Sequence, residues 1–169
     1  MIVLALDTCL GACSVAVVDD GRVLASLSEP MTRGHQERLA TMAREAMAAA
    51  GVSFAALDRI GVTVGPGSFT GLRVGVAFAK GLALALGRPC IGIGALEALA
   101  ASLGTQGDVA AAIDSGRGQI YLQTFRDGLP LAPPAVMPIE EARAAVNALE
   151  APTLTGPGTA LLAGDQDRL

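Results

Sequence analysis

Residues 63–86, TVGPGSFTGLRVGVAFAKGLALAL, decide how this chain is read. The stretch opens on the end of an apolar strand, Ile60 to Val64, and turns at Gly65-Pro66-Gly67. It then runs into a helix lasting to Leu86, stopped by Gly87 with Pro89 just beyond. The glycines flanking Pro66 allow a sharp turn where a side chain would collide. Ser68 or Thr70 is placed to cap the free amides of the first turn. Exposed amides and the helix dipole together favour an anion at such a turn, so a phosphate fits there.

The helix itself is apolar nearly all round. Arg73 and Lys80, seven residues apart, share one narrow stripe; the rest is Leu72, Val74, Val76, Phe78, Leu82, Leu84 and Leu86 with Gly71, Gly75 and Gly81 between. A surface helix normally shows water a broad polar face, which this one lacks. It is expected to be covered on two sides, either as a central core helix or with another protein supplying one cover.

Composition narrows the classes. With 169 residues, 51% of them hydrophobic, the chain can build one or two small domains with a proper core. The apolar run after Lys80 is shorter than the roughly 20 residues a membrane span requires. Met1 to Asp7 reads as a strand, without the basic leader of a signal peptide. Cys9, Cys13 and Cys90 lack a zinc spacing and fit reduced thiols in a cytoplasmic protein. A net charge of −4 without a basic run argues against this chain alone gripping nucleic acid. Four Phe, one Tyr and no Trp leave little for a base-stacking platform.

Taken in order, Ile2 to Leu6 is an apolar strand ending at Asp7-Thr8. Ser14 to Val18 and Val23 to Ser28 follow as strands joined by a hairpin at Asp19-Asp20-Gly21. A helix begins at Thr32 to Gly34, with one apolar face at Leu39, Met42, Ala43, Ala46, Met47 and Ala50, and ends at Gly51. After the central helix come a strand at Cys90 to Ile93 and a short helix from Leu96 to Leu103. Gly104 to Asp108 is the expected boundary, giving a first lobe over 1–104 and a second over 105–169. Beyond it the pattern restarts: a strand at Val109 to Ile113 ends at Asp114, and Gln119 to Phe125 leads to a turn at Asp127-Gly128. A helix at Ile139 to Leu149 and then Thr153-Leu-Thr-Gly-Pro-Gly158 echo the first half. Two copies of strand–Asp–hairpin–helix–strand–GPG indicate an internal duplication, the second copy incomplete.

A duplicated α/β unit with an Asp closing each first strand suggests actin-like lobes, the ASKHA or RNase H-like architecture of actin, hexokinase and sugar kinases. In that architecture nucleotide sits between the lobes and the first-strand Asp manages metal and phosphates. Asp7, Thr8 and Asp114 are therefore the candidate nucleotide-binding residues. The alternative is that an Asp at a strand end merely starts a turn.

Gly65-Pro-Gly-Ser-Phe-Thr-Gly-Leu-Arg-Val-Gly75 resembles the signature of the bacterial TsaB (YeaZ) family. Leu6-Asp7-Thr8, His35 and Asp114 through Tyr121 fit the same family in order, and the resemblance thins after residue 125. It implies an actin-like fold and a part in making threonylcarbamoyladenosine (t6A) in tRNA. The family member acts there as the non-catalytic partner of a paralogous enzyme, TsaD, together with an ATPase, TsaE; both paralogues resemble the M22 glycoproteases. The catalytic paralogue carries a His-Leu-Glu-Gly-His run whose two histidines bind metal, as two His at i and i+4 share a helix face. Here the matching stretch is Ala95-Leu-Glu-Ala-Leu99, and His35 is the chain's one histidine, so neither metal nor catalysis is expected.

Other chemistries fail on spacing. Leu72 stands where a Walker A lysine would follow Gly71, and the third glycine is one residue late for a dinucleotide fingerprint. Pro66 occupies the glycine position before Ser68 that a nucleophile elbow needs. Three readings stand: a scaffold subunit of tRNA modification, an ATP-dependent small-molecule kinase of the same fold, and, third, a peptidase. The scaffold reading places Gly71, Leu72, Arg73, Gly75, Val76, Ala79, Lys80 and Ala83 at the partner interface, with the apolar face of the preceding helix joining it. It implies a TsaD-type paralogue and a TsaE-type ATPase as partners, a homodimer in their absence and tRNA contacted only indirectly. No cofactor is expected to be tightly bound, with ATP or ADP only within the complex.

Overall fold

The apolar N-terminal run forms the first strand, β1 (Ile2–Asp7), in a computed structural model that describes residues 1–163. β1 pairs antiparallel with β2 (Ala12–Asp19), which pairs antiparallel with β3 (Arg22–Pro30). The β2–β3 hairpin closes at Asp20 and Gly21, both at positive φ (45° and 83°), the two-residue turn whose twist matches that of the strands. On its other side β1 runs parallel to β4 (Arg59–Thr63), and β4 parallel to β5 (Cys90–Ile93), giving the order β3-β2-β1-β4-β5. Helix α1 (His35–Ala49) packs on β2 and β3, and α2 (Phe69–Leu86) on β4 and β1. Leu4 and Leu6 of β1, with Val15 and Val17 of β2, alternate into one core with Leu39, Met42, Ala43, Ala46 and Met47 of α1.

This first unit is Met1–Ile93, and the second opens at Gly94. The division falls earlier than the 104/105 boundary read from the sequence. Helix α3 (Ala95–Ala101) lies between the two positions and packs on the second unit's strands, whereas the glycine at 104 only ends that helix's trailing turn. Those strands are β6 (Asp108–Gly116) and β7 (Gln119–Arg126), an antiparallel pair with a parallel neighbour, β10 (Thr153–Thr155), on β6. Beyond β7 lie β8 (Leu129–Pro130) and β9 (Ala135–Pro138). Helix α4 (Ile139–Asn147) packs on β7 and β9, and α5 (Thr159–Leu162) follows the second GPG. Ala110, Ala112, Ile120, Leu122, Ala142, Val146 and Leu162 form this unit's core. At its edge the Arg126 guanidinium donates to both carboxylate oxygens of buried Asp108 (2.6 and 2.8 Å), and the Glu150 amide adds a third bond of 2.9 Å. The guanidinium first, then that amide, holds the Asp108 carboxyl down at about 2.

Candidate functional site

Ser68 ends the GPG turn as the N-cap of α2, its Oγ accepting from the Gly71 amide at 3.3 Å. The Ser68 amide donates to the Cys9 carbonyl at 2.7 Å, so two of the turn's amides are spent within the chain rather than on a phosphate. The glycines then bring α2 onto β1 backbone to backbone. A Cβ at Gly67 would collide with the Cys9 carbonyl oxygen, one at Gly71 with the Thr8 carbonyl oxygen, and one at Gly75 with Thr8 Oγ1. Thr8, 1% exposed, donates its hydroxyl to the Gly71 carbonyl at 2.7 Å and locks the contact.

Gly71, Gly75, Ala79 and Ala83, each four residues on, are therefore the inward stripe of α2, buried on the chain's own sheet. As candidate interface residues these four are corrected: small size serves close approach inside the unit and leaves nothing to offer outside. The apolar face of α1 is corrected likewise, since Leu39, Met42, Ala43, Ala46 and Met47 are core. Leu72 and Val76 are half-buried, while Arg73 and Lys80 are exposed. The sequence reading missed two residues of that outer face, Phe69 at 67% exposure and Leu84 at 85%. The Arg73 guanidinium lies 3.8 Å over the Phe69 ring, a cation–π pair one helical turn apart. Beside it a groove of about 370 Å³ between α1 and α2 is lined by Gln36, Leu39, Arg73, Val74, Ala77 and Phe78. Sheet contact thus covers one side of α2 and leaves an apolar outer side in water. Among the described residues α2 is the one helix long and apolar enough to cross a membrane, yet its inward stripe is clamped to Thr8.

The candidate nucleotide residues are used locally. Asp7 Oδ1 accepts from the Thr63 hydroxyl at 2.5 Å and from the Cys9 amide at 3.0 Å. Thr8 is the clamp described above, and in the second unit Asp114 Oδ1 accepts from the Gly116 amide at 2.7 Å. Burial, followed by the hydrogen bond to Asp7, pushes the Cys9 thiol up to about 12, and burial raises Cys13 as well. Both shifts favour the neutral thiol over the nucleophilic thiolate. Among the described residues no three His, Cys, Asp or Glu side chains gather as metal ligands. At the two positions where the paralogue's histidines would stand, Ala95 is buried and Leu99 half-buried.

Four similarities bear on this arrangement. Residues 24–142 match the family model described as TsaD: tRNA N6-adenosine threonylcarbamoyltransferase. The Escherichia coli tRNA threonylcarbamoyladenosine biosynthesis protein TsaB is 38% identical over 75% of this chain and 55% of its own length. The chain thus spans about half the length of the curated relatives it matches. A Pseudomonas aeruginosa structure described as similar to peptidase YeaZ superposes with a TM-score of 0.76 at 38% identity, covering 82% of this chain and 67% of that one. A ROK hexokinase from Thermus thermophilus, at 27% identity and a TM-score of 0.50 over 78% of this chain and 48% of its own, extends the likeness to the actin-like kinases. A GPG turn docked on the end of β1, a strand order repeated in both units and these matches over most of its length agree: the chain belongs to the TsaD family and, within it, to the TsaB (YeaZ) members.

Proposed function

We propose that this chain is an accessory subunit of tRNA t6A synthesis, which binds a TsaD-type paralogue and holds it in an active arrangement without touching the reacting atoms. The observation that carries this reading is the outer face of α2, where Phe69 and Leu84 stand in water on a helix already fixed by its inner stripe. Covering either side chain contributes about 1.5–3 kcal/mol, which makes that face a source of binding energy. Two facts support the non-catalytic part. Ala95 and Leu99 stand where the resemblance sets the paralogue's metal-binding histidines, and the candidate carboxylates Asp7 and Asp114 already accept bonds from their own surroundings.

In this reading Leu72, Val76, Phe69 and Leu84 supply the apolar contact and Arg73 and Lys80 set partner choice at its rim. A TsaE-type ATPase joins the assembly, ATP or ADP enters only there, and tRNA is held mainly by the other subunits, since this chain's net charge is −4. Alone, the same face pairs with a second copy. The site of action is the cytoplasm, with reduced cysteines.

The test measures t6A in tRNA with the paralogue and its ATPase, with and without this chain. Omission should reduce modification at least tenfold. Arg73→Glu combined with Lys80→Glu should abolish the complex by sedimentation while leaving the circular dichroism spectrum unchanged. Equal modification without the chain rejects the reading. Nucleotide-dependent phosphorylation of a small molecule by the chain alone favours a kinase instead.

A further inference from the structure

Adjoining the groove between α1 and α2, a second cavity of about 390 Å³ lies where the first turns of the two helices converge. Arg33, His35, Gln36, Glu37, Ser68 and Thr70 line it. Both helices direct the positive ends of their dipoles and their first-turn amides toward this end of the unit. Gly34, the N-cap of α1, has no side chain to satisfy those amides. Ser68 does cap α2, but its Oγ accepts there, leaving the hydroxyl hydrogen free to donate.

The independent observation is His35. It is 7% exposed, and its Nε2 is the buried side-chain nitrogen or oxygen left without a hydrogen-bond partner among the described residues. A buried polar atom without a partner costs about 1–3 kcal/mol, and native proteins rarely keep one. The cavity's other polar side chains are the Arg33 guanidinium, the Gln36 amide, the hydroxyls of Thr32, Ser68 and Thr70 and the Glu37 carboxylate, and none of them bonds to Nε2.

We infer that this cavity binds an oxyanion of the phosphate class, accepting from Nε2–H of His35 and the Ser68 and Thr70 hydroxyls, with Arg33 as the counter-charge. Phosphate suits the set because several donors converge from different directions, whereas a carboxylate's two oxygens would leave some unpaired. Glu37 is the opposing charge and limits affinity. The site lies wholly within the first unit and does not rest on the tRNA-modification reading.

The chain's one histidine makes the test direct. With 15N-histidine labelling of the whole chain, one imidazole reports binding. Titration with inorganic phosphate at constant ionic strength should move the Nε2 resonance saturably, with a dissociation constant on the order of 1 mM. Arg33→Ala and Thr70→Val should each weaken binding several-fold, and Glu37→Gln should tighten it. Because His35 is buried, His35→Gln is checked first by thermal melting. The Thr70 and Glu37 variants, both at exposed positions, keep the test valid if that one misfolds. Parallel titrations with pyrophosphate and ADP identify the source: tighter, competitive ADP points to a nucleotide's phosphate, and equal affinity to the free ion. An Nε2 resonance that does not move at phosphate concentrations about twenty times that constant, or that moves equally with chloride, overturns the site. Loss of phosphate binding leaves the modification assay untouched, so the two proposals fail separately.

Discussion

The two units are built on one plan and finished differently. In each, a first strand lies between an antiparallel second strand and a later parallel one, β4 or β10; each hairpin turns on Asp-Gly with both residues at positive φ, Asp20-Gly21 and Asp127-Gly128. In each, a GPG docks on the first strand or just past its end. The Ser68 amide reaches the Cys9 carbonyl in one, and the Gly158 amide reaches the Ala112 carbonyl, at 2.9 Å, in the other. What differs is the helix that follows. After the first GPG, α2 runs 18 residues and buries four small residues, four apart, on the sheet; after the second, α5 runs four residues, Thr159–Leu162. Among the described residues the docking turn is thus common to both units, while the outer apolar face is that of α2.

The sharpest way to break this comparison is Gly71→Val. A side chain there meets the Thr8 carbonyl, a backbone atom that cannot step aside, so the loss should exceed about 4 kcal/mol, enough to unfold the first unit. Urea denaturation followed by circular dichroism checks it, and a loss under about 1 kcal/mol would show that the small stripe is not the anchor.

A milder perturbation separates the units by acid. Asp108 has its carboxyl lowered from 3.8 to about 2, so its contribution is present above the unfolded value and fades as pH falls from about 4 toward 2. Asp108→Asn should remove that part of the pH dependence and leave Glu29 and Glu45 of the first unit, each held low by hydrogen bonds from the Arg38 guanidinium, titrating as before. Melting temperatures measured between pH 2 and pH 6 read the difference; an unchanged acid profile would dismiss Asp108 as its source.

The smallest effect carries the opposite sign. Gly81 is exposed on α2 and a Cβ there meets nothing, so Gly81→Ala should stabilise by about 0.5–1 kcal/mol. Destabilisation in the same urea measurement would mean that this part of the helix is not free in solution.

Much of the fold was legible because its signals are local. The Asp-Gly hairpins, the Gly-Pro-Gly turn and the apolar strands each announce themselves within a few residues, and the repeated order revealed the duplication. β8 and β9 were missed because Pro130, Pro133, Pro134 and Pro138 make the segment read as loop, although an edge position tolerates proline. The direction of α2 was misread for a different reason. A helix apolar all round gives no amphipathic contrast, so periodicity does not say which side faces in; the four-residue spacing of Gly71, Gly75, Ala79 and Ala83 was the usable sign. The burial of His35 rests on the approach of two helix starts distant in sequence, and no local pattern carries it.

Anchoring α2 through an absence of side chains has a consequence for redesign. The closest contacts that seat the helix are made by main-chain atoms and the Thr8 hydroxyl, so they place no demand on the identity of the exposed Phe69, Arg73, Lys80 or Leu84. Those outer positions form a display that can be rewritten one residue at a time while the scaffold beneath stays constant. Under the proposed docking of a partner on this face, mutually exclusive pairs could be built by exchanging charge at positions 73 and 80 between the chain and that partner, giving two assemblies that ignore each other in one cell.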